Sequence, residues 1–182
     1  NKSKIFKYKK KIQKLENFDR NFDEDLVAFR ANLNLYLNKK TISSYQSDYS
    51  FQMTEKKGNI LSPIFPLFNK KAKKNFIIFR NIYVDPIVKK FKYYFIDYKK
   101  KKILNFGYLN TNESNLIKVE NKYIRENTYF FTDKYLGIPI FVLINNNQMS
   151  LEHTHPPHQY IIGNNAFKVV SQIKKEFLEI IS

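Results

Sequence analysis

All three histidines of this 182-residue chain fall in one string, Glu152-His153-Thr154-His155-Pro156-Pro157-His158. On an extended strand His153 and His155 point to the same side, and the diproline stiffens the turn that presents His158. Neutral imidazoles so placed could hold a metal ion, with Glu152 as a fourth ligand or as a general base. The string matches no zinc signature, however, and Pro156-Pro157 stands where the strand of an H-x-H barrel site would continue. The plainer expectation is a rigid strand-to-helix connection whose imidazoles bond to backbone or to a neighbour. A third use is donation to phosphate or stacking on a base.

Other reactive patterns are missing from the sequence. There is no Cys, which excludes disulfide scaffolds, thiolate zinc sites, iron–sulfur clusters and cysteine nucleophiles together. Four glycines build no phosphate loop, and neither G-x-S-x-G nor H-E-x-x-H occurs. Asp23-Glu24-Asp25 suits a helix N-terminus better than a metal site. No cofactor and no enzymatic activity are expected.

Charge is the stronger signal. The chain carries 32 Lys and Arg against 16 Asp and Glu, a net +16. Residues 1–14 hold Lys2, Lys4, Lys7, Lys9, Lys10, Lys11 and Lys14 with no acid. Residues 69–102 hold Lys70, Lys71, Lys73, Lys74, Arg80, Lys89, Lys90, Lys92, Lys99, Lys100, Lys101 and Lys102 against Asp85 and Asp97. The rest of the chain is close to neutral, so the whole surplus sits in two segments. Solubility charge would be spread; concentration is the footprint of a polyanion contact. The ordinary alternative for any one run is a solvated loop. A seven-lysine arm repels itself, and order in it requires an anion around it.

Rings interleave with these lysines in Phe6-Lys7-Tyr8-Lys9-Lys10-Lys11 and in Lys89-Lys90-Phe91-Lys92-Tyr93-Tyr94-Phe95. Lysine neutralises phosphate and an exposed ring stacks on an unpaired base. On a strand, Tyr93 and Phe95 share one face while Lys92, Tyr94 and Ile96 share the other, which assigns most of these rings to the core. The pattern speaks for phosphate more than for stacking. It lacks the aromatic strings of RNA-recognition modules and any GXXG loop.

The elements that must carry these groups read as an α+β chain: N-terminal helices, a central antiparallel sheet and a C-terminal amphipathic helix. Ile5, Tyr8, Ile12 and Leu15 predict a basic helix over 4–16, and Leu26, Phe29, Leu33 and Tyr36 predict a second over 23–39. Residues 1–40 thus form a basic arm with helices, and 41–75 an irregular connection with an apolar patch around Ile64, Phe65, Leu67 and Phe68. Residues 76–182 form the sheet and last helix. Strands are expected at 76–84, 91–98 and 103–109 in a meander, with Lys99–Lys102 at a hairpin tip. One or two short strands follow in 116–132. The clearest hairpin joins 140–144 to 148–153 through Asn145-Asn146-Asn147, since Asn tolerates positive φ. Asn164 or Asn165 then caps a helix with Phe167, Val170, Ile173, Phe177, Ile180 and Ile181 inward and Lys168, Lys174, Lys175, Glu176 and Glu179 outward. The longest apolar run, Ile138–Ile144, is far short of the ~20 residues that span a bilayer. The basic start carries neither a signal-peptide apolar stretch nor a transit-peptide pattern; a protein made inside an organelle needs neither.

Lys, Ile, Asn, Phe and Tyr supply 100 of the 182 residues, and Gly, Ala, Arg and Pro only 18. The first set has AT-rich codons and the second GC-rich ones, so the gene belongs to an AT-rich genome. Codon bias explains four Arg against 28 Lys, but not the sign of the net charge. In composition, size and charge across its length, the chain resembles organelle-encoded ribosomal proteins of protists with AT-rich mitochondrial genomes. The resemblance implies a structural constituent of a mitochondrial ribosome, in the matrix, bound to ribosomal RNA and neighbouring ribosomal proteins. Two other readings stay open. One is a soluble accessory subunit of a respiratory-chain or ATP-synthase complex, whose N-terminal basic helix meets anionic lipid. The other is a metal-dependent enzyme built on His153, His155 and His158.

Overall fold

The computed structural model describes residues 30–37, 41–48, 58–80, 88–153 and 164–182. The helix expected over 4–16, the stretches 1–29 and 154–163, and residues 81–84 of the strand expected over 76–84 lie outside the described residues. The described chain is α+β: ten strands, all antiparallel, and one C-terminal helix.

Two four-stranded sheets form a sandwich. One has the order β10-β9-β4-β7, from β4 (Lys74–Arg80), β7 (Ser114–Val119), β9 (Ile138–Asn145) and β10 (Gln148–His153). The other has the order β3-β8-β5-β6, from β3 (Leu61–Pro63), β5 (Lys90–Asp97), β6 (Lys102–Asn110) and β8 (Thr128–Thr132). Alternation decides which side chains meet between them. Ile77 and Phe79, Ile117 and Val119, and Phe141 point inward from the first sheet. Phe91 and Phe95, Leu109 and Phe130 point inward from the second, and all are buried in one cluster. Phe79 lies 5.9 Å from both Phe91 and Phe130 at edge or tilted angles, arrangements favoured by ring quadrupoles.

Each sheet also has an apolar outer face, covered at least in part. Phe76, Ile78, Ile140, Val142 and Ile144 face away from the sandwich and pack with Leu35 of the hairpin β1 (Arg30–Leu37)–β2 (Thr41–Asp48). On the opposite side Tyr94, Ile96, Tyr129 and Phe131 pack against Phe177, Ile173 and Ile180 of α1 (Ala166–Ile181). Phe177 is the pin: it is 1% exposed and lies 5.3 Å from Tyr98 in a stacked pair.

Four expectations are corrected. Residues 30–37 of the helix expected over 23–39 form a strand. Leu33 and Tyr36 fit a helical stripe, but Leu33, Leu35 and Leu37 also fit a period of two, and pairing with β2 selects the second pattern. Residues 41–75 are not all irregular, because they supply β2 and β3; Ile64 and Phe68 beside β3 are buried, while Phe65 and Pro66 sit in an exposed 3-10 turn. The strands β4, β5 and β6 do not form a meander. β4 is apolar on both faces and sits between β7 and β9, leaving β5 to pair with β6 and β8. A meander would have left β4 at an edge. Finally, Phe167 is 70% exposed: Ala166, four residues before Val170, takes the inward position and turns Phe167 away.

The remaining turns follow their residue types. Asn146 (φ 52°) turns β9 into β10 and Lys101 (φ 49°) turns β5 into β6. Asn165 occupies the cap position of α1 without a side-chain capping bond; its carbonyl accepts from Val169 N at 3.0 Å.

Candidate nucleic-acid interface

The basic residues of 69–102 fall into two groups at opposite ends of β5, which is about 25 Å long. The first group gathers two turns that are distant in sequence. In the 69–73 turn the Asn69 side chain accepts from Lys71 N at 2.8 Å and its carbonyl accepts from Ala72 N at 3.0 Å. Ala72 is thereby buried, and Lys70, Lys71, Lys73 and Lys74 are exposed. In the 98–101 turn the buried Asp97 carboxylate accepts from Lys100 N at 3.1 Å, and Lys99, Lys100 and Lys102 are exposed.

The connection from β7 to β8 ties the two turns together. Asn121 donates from its amide to the Lys70 carbonyl at 2.9 Å and accepts from the Asn75 amide at 3.1 Å. Six residues on, the Asn127 carbonyl accepts from Tyr98 N at 2.9 Å. Between these contacts Tyr123 stacks on the buried Phe95 at 5.7 Å, which fixes the connection to the core. It adds Lys122, which pairs with Glu120 at 2.8 Å, and Arg125, whose Nε donates to the Lys122 carbonyl at 2.8 Å.

Lys101 is different from its neighbours. Its ammonium meets the Glu176 carboxylate at 2.9 Å and lies 3.9 Å from the Tyr98 ring, while the Tyr98 hydroxyl donates to the same carboxylate at 2.7 Å. The Tyr98 hydroxyl and then Lys101 hold the Glu176 carboxyl below its ordinary range, and Glu176 raises Lys101. Lys101 therefore docks the hairpin on α1, while Lys99, Lys100 and Lys102 stay exposed.

The second group begins β5. Lys89 N donates to the Thr111 hydroxyl at 2.8 Å, and Lys89 and Lys90 are exposed at the sandwich end where Arg80 closes β4. Lys90 and Lys92 share the outer face of their sheet with Phe106 and Tyr108 of β6, through the pairs Lys92–Tyr108 and Tyr94–Phe106. Lys90 Nζ lies 4.1 Å from the Tyr108 ring centre; Lys92 Nζ lies 5.8 Å from Phe106 and 5.9 Å from Tyr108. Phe106 and Tyr108 are 55% and 53% exposed, because α1 covers the Tyr98 and Ile103 part of this face and stops short of them. Asp133 is the nearby acid; its carboxylate accepts from Lys92 N at 2.9 Å. Burial, then Asp133 and Tyr108, push the Tyr94 hydroxyl up.

Neither Phe106 nor Tyr108 has a lysine neighbour in sequence, whereas the lysine–ring strings lie on β5, whose Phe91 and Phe95 are core. The signal lay in β6, where Asn105, Gly107 and Leu109 alternate with Phe106 and Tyr108. Gly107 is inward because the Tyr93 ring lies on it: a Cβ there would fall 2.6 Å from Tyr93 Cε1.

Lys2, Lys4, Lys7, Lys9, Lys10, Lys11, Lys14, His155 and His158 lie outside the described residues. His153 ends β10 opposite Ile140, and Glu152 opposite Phe141. Successive strand residues face opposite sides, which separates Glu152 from His153 as a fourth ligand. Among the described residues no group of three His, Asp or Glu side chains is placed to hold a metal, and no helix is long and apolar enough to cross a membrane. Lys174, expected outward, is half-buried and donates to the Asn59 carbonyl at 2.6 Å; burial pushes its ammonium down.

The fold and its charged end define a two-sheet antiparallel sandwich with a basic rim. No family model, curated protein or solved structure matches the chain.

Proposed function

We propose that this chain is a structural, RNA-binding constituent of a mitochondrial ribosome, working in the matrix beside ribosomal RNA and neighbouring ribosomal proteins. The observation that carries the reading is the joining of two lysine turns by one connection, Asn121 to Lys70 and Asn127 to Tyr98. Lys70, Lys71, Lys73, Lys74, Lys99, Lys100 and Lys102 are thereby brought to one rim on rigid turns. Free lysines on mobile loops lose side-chain and backbone entropy when they bind; turns already held by Asn69, Asp97 and Asn121 lose less of it. Phosphates of a folded RNA are the polyanion that such a fixed array fits, and contact there releases counterions. The N-terminal lysines, Lys2 to Lys14, extend the same chemistry.

Co-sedimentation with mitochondrial ribosomal particles tests this. The protein should travel with the particles, and be released when salt is raised or the RNA is digested. Charge reversal at Lys99, Lys100 and Lys102 should reduce incorporation, and reversal at Lys168 and Lys175 on α1 should not. Equal incorporation of the two variants overturns the reading. Binding to anionic vesicles without binding to particles transfers the chain to a membrane-bound complex.

A further inference from the structure

We infer that the outer face of β6, with Phe106 and Tyr108 beside Lys90 and Lys92, is a stacking platform for unpaired bases of a single-stranded RNA segment. This deepens the polyanion reading and rests on it. Exposed aromatic rings are costly to leave in water, and these two lie side by side, about half exposed, on an edge strand whose other large side chains are packed.

The chemistry of the patch selects the occupant. Lys90 and Lys92 place ammonium groups over the ring faces, so the faces are reachable and the neighbourhood is positive. A cation over an exposed ring contributes less than a nucleobase stacked on it. An arriving base displaces the ammonium from the ring, and the flexible lysine stem carries the charge to the phosphate on either side of that base. An apolar protein segment would instead bury these ammonium groups without a partner.

Spacing makes the choice sharper. Phe106 and Tyr108 are two residues apart on one strand face, about 7 Å. Stacked bases rise ~3.4 Å per nucleotide along one strand. Consecutive bases can use both rings only when they are pulled apart from each other. The platform therefore takes a loop, bulge or single-stranded tail, and not a duplex, whose base faces are closed. Sequence preference should be weak, because every base has a flat face.

The test compares binding of the full chain to a short uridine oligonucleotide and to an abasic strand of equal length and charge. The uridine strand should bind more tightly. F106L/Y108L, which keeps apolar side chains on the strand, should bring the uridine strand down to the level of the abasic one, about five- to tenfold per ring. F106Y/Y108F keeps both rings and should bind as the unaltered chain does. Thermal melting of both variants checks that the sandwich is intact. The stacking inference is overturned if the unaltered chain binds the two strands equally, or if F106L/Y108L weakens both alike or neither. If neither strand binds even at low salt, the polyanion reading fails with it; if both bind equally, that reading stands and only the platform is lost.

Discussion

The two ends of β5 carry lysines of the same kind to different uses. At its start, Lys90 and Lys92 lie on a sheet face, over the exposed rings of Phe106 and Tyr108. At its end, Lys99, Lys100 and Lys102 stand on a turn whose backbone is held by Asp97 and Asn127, beside the half-buried Tyr98, whose ring lies between Phe177 and Lys101. The difference is set by α1. Phe177 stacks on Tyr98, and Glu176 receives Tyr98 and Lys101. The helix thus closes the aromatic face at one end of the strand and leaves it open at the other. Lysines adjacent in a sequence can stand exposed, lie over rings or dock an element, and the covering element decides which.

Four variants break or sharpen this comparison. The largest effect is expected from Phe177→Ala, which empties the contact among Tyr98, Tyr129 and Phe131 and should cost about 3–5 kcal/mol in urea unfolding. The freed Tyr94 and Ile96 face should then resemble the open end, and would bind apolar dyes. Next, K99E/K100E/K102E should weaken single-stranded RNA binding by an order of magnitude or more at low salt and leave the melting temperature almost unmoved, since these side chains are exposed. Gly107→Ala pushes a Cβ into the Tyr93 ring and should destabilise by about 1–3 kcal/mol. That substitution should disturb the ring platform while the 98–101 turn still binds phosphate, which an abasic strand would report.

Glu176→Gln should have the smallest effect, and it is read by pH. The folded-state value of Glu176 is lowered, so the native state favours the ionised form. Its contribution is present above the unfolded Glu value and fades as pH falls through the lowered folded value. The Gln variant should therefore lose its small stability deficit in acid, where the unaltered chain becomes protonated as well. Lys101 runs the other way: its raised value means a contribution present below the ordinary Lys range and lost as pH rises through the folded value. A deficit that stays constant from neutral pH into acid would remove Glu176 from the docking of the hairpin.

Much of the sandwich could be read in advance where pattern and burial agree. The 140–153 hairpin, its Asn146 turn, the Lys99–Lys102 tip and strands β4 to β6 follow from runs of β-branched and aromatic residues between turn residues. The C-terminal helix follows from Val170, Ile173 and Phe177 at helical spacing. β1 could not be read, because its leucines satisfy a helical and an extended pattern, and pairing with the polar β2 decides between them. β2 itself, Thr41–Asp48, has no apolar period, since Ile42 and Ser44 are exposed. Partnering of strands was hidden for a similar reason: alternation tells which side chains share a face but not which strand lies alongside. The charged rim was legible as a lysine-rich segment. Its division into two groups depends on Asn121, Asn127 and Glu176, which no local motif links to their partners Lys70, Tyr98 and Lys101, 51, 29 and 75 residues away.

Salt titration of RNA binding bears most directly on the rim. For the unaltered chain and for K168E/K175E, the logarithm of affinity should fall steeply and equally with the logarithm of salt concentration. For K99E/K100E/K102E the slope should be shallower by about 2, from three lost phosphate contacts at ~0.7 each on single-stranded RNA. Parallel lines for all three proteins would contradict the account.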